Sequence, residues 1–240
     1  MTILAIDTST AFASVCLFAR GVVSEATWRT GKNHTVQVAA RIDELLRETG
    51  LAPADLTGIA VAIGPGSFSG VRVGVSLAKA IAHALGAPLV GIPTLEVAAR
   101  EFAWFPGSIR PLIDGGRGQV ATALYTGGSG EVSLAEDAHL SDLSNLLPVH
   151  VPTLFCGEVT PDWEVALRDF GGLMAHVAPL AGRSRRSGFL AEAALRRLER
   201  GQVDDPLSLQ PVYLRRPAVL DRIAMPSSDQ SAIRGIRCPT

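Results

Sequence analysis

The chain has 240 residues, 47% of them hydrophobic and 19% charged, enough to build one large core or two small ones and too apolar for a disordered chain. A formal net charge of −1 leaves little to neutralise phosphates with, so the chain is a poor stand-alone nucleic-acid binder and any RNA would be met through a partner. The 22 basic residues include only two lysines, Lys32 and Lys79, and no long block of one charge sign occurs.

Met1 to Asp7 is an apolar run closed by an acid. No basic leader precedes it, and no apolar stretch reaches ~18 residues, so no membrane span and a cytoplasmic location are expected. Ala13 to Phe18 and Val22 to Trp28 continue as strands, with a turn at Arg20-Gly21, and the three form an antiparallel meander. His34 to Thr49 is a helix whose apolar positions Val38, Ile42, Leu45 and Leu46 share one face. Gly50 and Pro53 end it. Gly58 to Ile63 reads as a buried strand, Gly70 to Leu85 as a second helix, Leu89 to Ile92 as a strand and Leu95 to Phe102 as a third helix.

Trp104 to Gly107 marks a boundary. Beyond it, Arg110 to Asp114 repeats the opening pattern of an apolar run ending in Asp, and Gln119 to Tyr125 continues as a strand after a glycine turn. Two such units point to a duplicated architecture. Thr153 to Phe155 is a further short strand, and Phe189 to Arg200 is a helix with Leu190, Ala194, Leu195 and Leu198 on one face. From Asp221 the periodicity is lost, and residues 221–240 are expected to be a disordered tail.

Three segments could carry chemistry. Asp7-Thr8-Ser9 could hold an anion or metal-phosphate in a turn of backbone N–H groups, although no glycine lies between Asp7 and Gly21; equally, Thr8 and Ser9 could cap a tight turn. Gly64-Pro65-Gly66-Ser67 joins a strand to a helix. It either offers helix N–H groups to an anion or is a structural turn with Ser67 or Ser69 as cap. It is not a P-loop, since no Gly-Lys-Ser/Thr follows. Asp114-Gly115-Gly116-Arg117-Gly118 reads as a second phosphate hairpin or as an ordinary glycine-rich one.

His34, His83, His139, His150 and His176 form no H-x-x-H, H-x-x-x-H or H-E-x-x-H pair, so no zinc or iron site built from histidine pairs is expected. The three cysteines, Cys16, Cys156 and Cys238, are far apart and show no C-x-x-C, which argues against a disulfide framework or a zinc site. The 70–85 helix gathers Arg72, Ser76, Lys79 and His83 on one narrow stripe and is apolar elsewhere. Such a helix must be covered on more than one side. Gly70, Gly74 and Ala78 are small enough to admit a second helix.

Leu4 to Thr10, Gly64 to Gly74 and Pro211-Val212-Tyr213-Leu214-Arg215 resemble the bacterial TsaB family of threonylcarbamoyladenosine-biosynthesis subunits. The order and spacing agree over about the first 215 residues, and residues 129–183 carry little of the resemblance. The resemblance implies an α/β, actin-like (ribonuclease H-like) fold of two domains with mixed sheets flanked by helices: residues 1–105, with partner-binding helices, and residues 106–220. It implies a non-catalytic subunit without cofactor or metal that binds and activates a TsaD-like catalytic subunit alongside a TsaE-like ATPase, and that closes a homodimer when alone. In TsaD-like proteins the segment resembling Pro93 to Ala98 carries a metal-binding histidine pair; here Thr94 and Ala98 stand in those places. The paired surface of the family is made by the first two helices, which puts Val38, Ile42, Leu45, Val71, Val75, Ala78 and Ala82 near the interface. Asp7, Thr8, Ser9, Gly64, Gly66, Ser67, Asp114 and Gly115 would be vestigial phosphate loops. The competing readings are an actin-like ATP-dependent phosphotransferase using Asp7, Asp114 and the glycine turns, and a metallopeptidase.

Overall fold

In the computed structural model the described residues are 1–30 and 34–215, with no side chains described at 34–36. The tail expected after Asp221 and Cys238 lie outside them. The first sheet has the order β3-β2-β1-β4-β5, built from β1 (Ile3–Asp7), β2 (Phe12–Phe18), β3 (Val22–Arg29), β4 (Gly58–Ala62) and β5 (Leu89–Ile92). β1 is central: Ala5 faces Cys16 of the antiparallel β2 on one side and Ala60 of the parallel β4 on the other. Because side chains alternate along a strand, Leu4 and Ile6 enter one core while Ile3 and Ala5 enter another. Both faces of β1 and β4 are therefore covered, which is why these strands read as unbroken apolar runs.

The first core is roofed by α1 (His34–Thr49) and α2 (Phe68–Leu85), which pack on the same face of the sheet. Ser67 caps α2, its hydroxyl accepting from the Gly70 N–H, and Gly86 ends it with φ 62°. The polar stripe lies outward as the spacing predicts, with Arg72, Ser76 and His83 exposed and Lys79 half-buried.

The second sheet repeats the order of the first, β8-β7-β6-β9-β10. Its strands are β6 (Ser108–Gly116), β7 (Gln119–Thr126), β8 (Ser133–Ser141), β9 (Thr153–Gly157) and β10 (Ala175–Val177). β6 is again antiparallel to the following strand and parallel to β9. The duplication inferred from the two Asp-terminated runs is thus a duplication of topology. Within residues 129–183 the sequence reading had found only the 153–155 strand; β8, β10 and α4 (Pro161–Phe170) complete the second lobe. No helix among the described residues is long and apolar enough to cross a membrane.

The two halves exchange helices. From the first half, α3 (Thr94–Arg100) sends Leu95 and Ala99 into the core of the second sheet. From the second half, α5 (Ser187–Glu199) lays Leu190, Ala191 and Ala194 on the first sheet. A division at 105/106 separates the sheets but cuts across the cores, because each sheet needs an apolar cover and each takes it from the other half.

The seven residues expected near a partner interface, Val38, Ile42, Leu45, Val71, Val75, Ala78 and Ala82, are all buried in the chain's own first core. They are the inner arcs of α1 and α2. The amphipathic pattern gives them one apolar face on each helix but does not say what covers it. Leu77 and Ile81 are half-buried and pack against that core from the flanks, which leaves half-buried Val73 and exposed Ala80 and Ala84 as the apolar residues of the outer arc of α2. Gly70 and Gly74 do not admit a second helix either: a Cβ at Gly70 would lie 2.2 Å from the Thr8 carbonyl oxygen, and one at Gly74 would lie 2.4 Å from Thr8 Oγ1. Their smallness serves the turn after β1.

Candidate functional site

Three of the expected loops meet at a cleft between the lobes. It has a volume of about 360 Å³, and Gly66, Ser67, Asp114 and Gly115 line it together with Thr10, Ala11, Gly116 and Glu158. Thr8 and Ser9 do not face the cleft. They fill the start of α2: Thr8 Oγ1 donates to the Gly70 carbonyl at 2.7 Å, and the Ser67 N–H donates to the Ser9 carbonyl at 2.6 Å. A Cβ at Gly66 would lie 2.0 Å from that same Ser9 oxygen, so only glycine permits this contact. Two segments read as separate phosphate loops are thus one packed unit, and part of the helix N-terminus is satisfied from within.

Asp7 closes β1 beneath this unit and is buried. Its Oδ1 accepts from the Ser9 N–H at 2.8 Å and the Ser9 hydroxyl at 2.5 Å. Its Oδ2 accepts from Arg185 Nε at 2.8 Å. The same guanidinium donates through Nη1 to Glu158 Oε1 at 2.9 Å and through Nη2 to Thr10 Oγ1 at 2.7 Å, and Thr10 also bonds Glu158. The Arg185 side chain is only 2% exposed. Burial alone would weaken its proton affinity, but the attraction and hydrogen bonds of Asp7 and Glu158 outweigh this and raise it, so the arginine stays charged. Breaking one side of a buried pair of this kind costs about 3–5 kcal/mol.

Arg185 is held in turn by its neighbours. Arg186 Nε and the Gly188 N–H both donate to Glu25 of β3, at 3.0 and 2.8 Å, and Ser187 and Ser14 hydroxyls meet at 2.5 Å. The sequence reading missed Arg185 and Glu158. The only local signal was the arginine cluster at 183–186 before a helix, which resembles any basic surface turn.

Asp114 is exposed, and its Oδ1 accepts from the Gly116 N–H at 2.8 Å. The hairpin turns at Arg117 and Gly118 with φ of 58° and 78°, the positive values a two-residue turn needs. A strap from residue 204 to 215 crosses from the first lobe to this hairpin. Asp204 bonds the Gly91 N–H, the Val212 N–H bonds the Ile63 carbonyl, and Arg215 Nη2 reaches Gln119 Oε1 at 2.6 Å.

The positions compared with a histidine pair are Thr94, fully buried, and Ala98, also buried. No group of three or more His, Cys, Asp or Glu side chains that could hold a metal ion occurs among the described residues. The metal-bound nucleotide used by phosphotransferases of this architecture does not fit here, because the Asp7 oxygens are already engaged by Ser9 and Arg185.

Two lobes of the same strand order, meeting at a cleft framed by their first hairpins, give this chain an actin-like fold. The family model described as TsaD, tRNA N6-adenosine threonylcarbamoyltransferase, matches residues 18–156. The chain is 36% identical over 220 residues to the Bacillus subtilis tRNA threonylcarbamoyladenosine biosynthesis protein TsaB, covering 90% of this chain and 94% of that one. It is 47% identical over 76 residues to the tRNA N6-adenosine threonylcarbamoyltransferase of Anaeromyxobacter dehalogenans, 32% of this chain and 22% of that one. In fold it is similar to YeaZ from Pseudomonas aeruginosa, with a TM-score of 0.74 at 24% identity, covering 89% of this chain and 99% of that one. The chain belongs to the TsaB family.

Proposed function

We propose that the chain acts in threonylcarbamoyladenosine formation on tRNA as a non-catalytic subunit that binds and activates a TsaD-like catalyst. The observation that carries this is the state of the acid beneath the cleft: Asp7, which ends β1, is buried and held by the protein's own Arg185. Thr94 and Ala98, where a catalytic relative would place imidazoles, point the same way. The match to a TsaD-type family model over residues 18–156 supports a pairing of like with like, in which equivalent helices of two related lobes meet. The outer arc of α2, with Val73, Ala80 and Ala84, would offer the apolar surface for it. The same arc would close a homodimer when the partner is missing. A TsaE-like ATPase would join the complex, tRNA would be met only through it, and the location would be cytoplasmic.

The test is gel filtration with light scattering, on the chain alone and mixed with the TsaD-like protein of the same source, with threonylcarbamoyl transfer assayed in parallel. A mixed complex with transfer only in the mixture supports the reading. An inert monomer in both runs, or transfer by the chain alone, overturns it.

A further inference from the structure

We propose that Arg185 is a built-in cation beneath the cleft: it takes on Asp7 the place a metal would take, and by gripping Glu158 at the cleft wall as well it fixes the two lobes in one closed arrangement. Asp7 belongs to the first sheet, Glu158 follows β9 of the second, and one guanidinium bonds both, at 2.8 and 2.9 Å. An arginine suits this task because its planar fork reaches three acceptors at once, Thr10 included; a lysine is a single point charge. The side chain cannot swing aside cheaply, since its neighbours in the chain are bonded to Glu25 and Ser14 of the first sheet. Outside the cleft the 204–215 strap makes a second bridge, with Val212 on Ile63 and Arg215 on Gln119. The consequence is a chain that meets any partner as a pre-formed rigid body, with low affinity for divalent cations.

An ion pair serving stability alone would behave differently from a metal substitute. Removing a stabilising pair weakens the fold and nothing more. Removing a built-in cation leaves Asp7 and Glu158 facing each other, and a divalent cation can then replace the missing charge. The test is Mn2+ titration of the isolated chain, followed by the paramagnetic resonance of free Mn2+, for wild type, Arg185→Met and the double variant Asp7→Asn/Arg185→Met. Affinity should rise at least about tenfold in R185M, and neither wild type nor the double variant should bind.

Should R185M be only marginally folded, melting reads the same effect. Millimolar Mn2+ should raise the Tm of R185M and leave the other two unchanged. The proposal is overturned if wild type binds Mn2+ as tightly as R185M does, or if R185M neither binds it nor gains Tm from it. All these readouts use the chain alone, so their failure is distinguishable from failure of the partner reading.

Discussion

Thr94 and Gly64 clasp each other from both sides: the Gly64 N–H donates to Thr94 Oγ1 at 3.0 Å, and the Thr94 N–H donates to the Gly64 carbonyl at 2.8 Å. The clasp ties the start of α3 to the loop that leads into α2. Thr94 stands where a catalytic relative would place a histidine, and its side chain here has a structural partner. Thr94→Val keeps the shape and removes the acceptor, leaving a buried N–H unpaired. A loss of about 1–3 kcal/mol in urea denaturation is expected, with an unchanged slope. No loss would mean that water or a shift of the loop satisfies Gly64.

The packing of the first turn against α2 predicts a ranking of two alanine substitutions. At Gly70 the added Cβ would meet the backbone oxygen of Thr8, which can move only with the strand. At Gly74 it would meet the Thr8 hydroxyl, which can rotate away but then loses its bond to the Gly70 carbonyl. Gly70→Ala should cost about 2–3 kcal/mol and Gly74→Ala about 1–2 kcal/mol, read from thermal or chemical denaturation. The reverse order would contradict the close approach at Gly70.

Two arginine substitutions on α2, two residues apart, should part company. Ala78 is fully buried in the first core, so Ala78→Arg puts a charge among Leu4, Ile59 and Val75 and should unfold the protein, at more than about 4 kcal/mol. Ala80 is exposed, so Ala80→Arg should leave the melting temperature within a degree or two of wild type. If the outer arc is the partner surface, A80R also abolishes the mixed complex in light scattering. A folded A80R that still binds the TsaD-like protein would place the interface elsewhere.

The buried thiols give a pH dependence with a definite sign. Cys16 is fully buried, and burial first, then the charge of Glu25, pushes its thiol up to about 12 despite the opposing pull of Arg186. Burial raises Cys156 as well. In the unfolded chain a thiol loses its proton near its ordinary value of 9.0, while the folded chain keeps it, so the unfolded state binds fewer protons in alkali. Stability is therefore fully present below the unfolded value and falls as pH rises from there toward 12, by up to about 1.4 kcal/mol per pH unit per thiol. Cys16→Ala should flatten that slope in denaturation curves taken between neutral and alkaline pH. In a Cys238→Ser background, neither remaining thiol should react with iodoacetamide in the native state, and both should react once unfolded.

Much of the fold was legible. The apolar runs at 1–7 and 58–63 announced strands, the second of them buried, and the repeated run ending in Asp announced the second lobe. Gly86 announced the end of α2 and the stripe from Arg72 to His83 its wet side, while its start, read at Gly70 with Ser67 or Ser69 as the cap, falls at Phe68 behind Ser67. The loops at Asp7, Gly66 and Asp114 were recognised as candidates, and Gly66 and Asp114 do share the cleft. β8 and α4 were not found, because β8 is an edge strand with no fully buried position and α4 buries only Leu167.

What the sequence determined by itself are the periodicities, the turns and caps, since each depends on residues within a few positions of one another. What only the tertiary structure decided is which surface covers which. The seven inner residues of α1 and α2 satisfy a partner interface and an internal core equally well until the sheet beneath them is placed. The exchange of α3 and α5 between the lobes has no local signature, because either sheet could have covered either helix. Asp7 and Arg185 lie 178 positions apart, and the attraction between two charges leaves no periodicity to read. Only folding brings them within 2.8 Å and turns a candidate metal ligand into half of a buried ion pair.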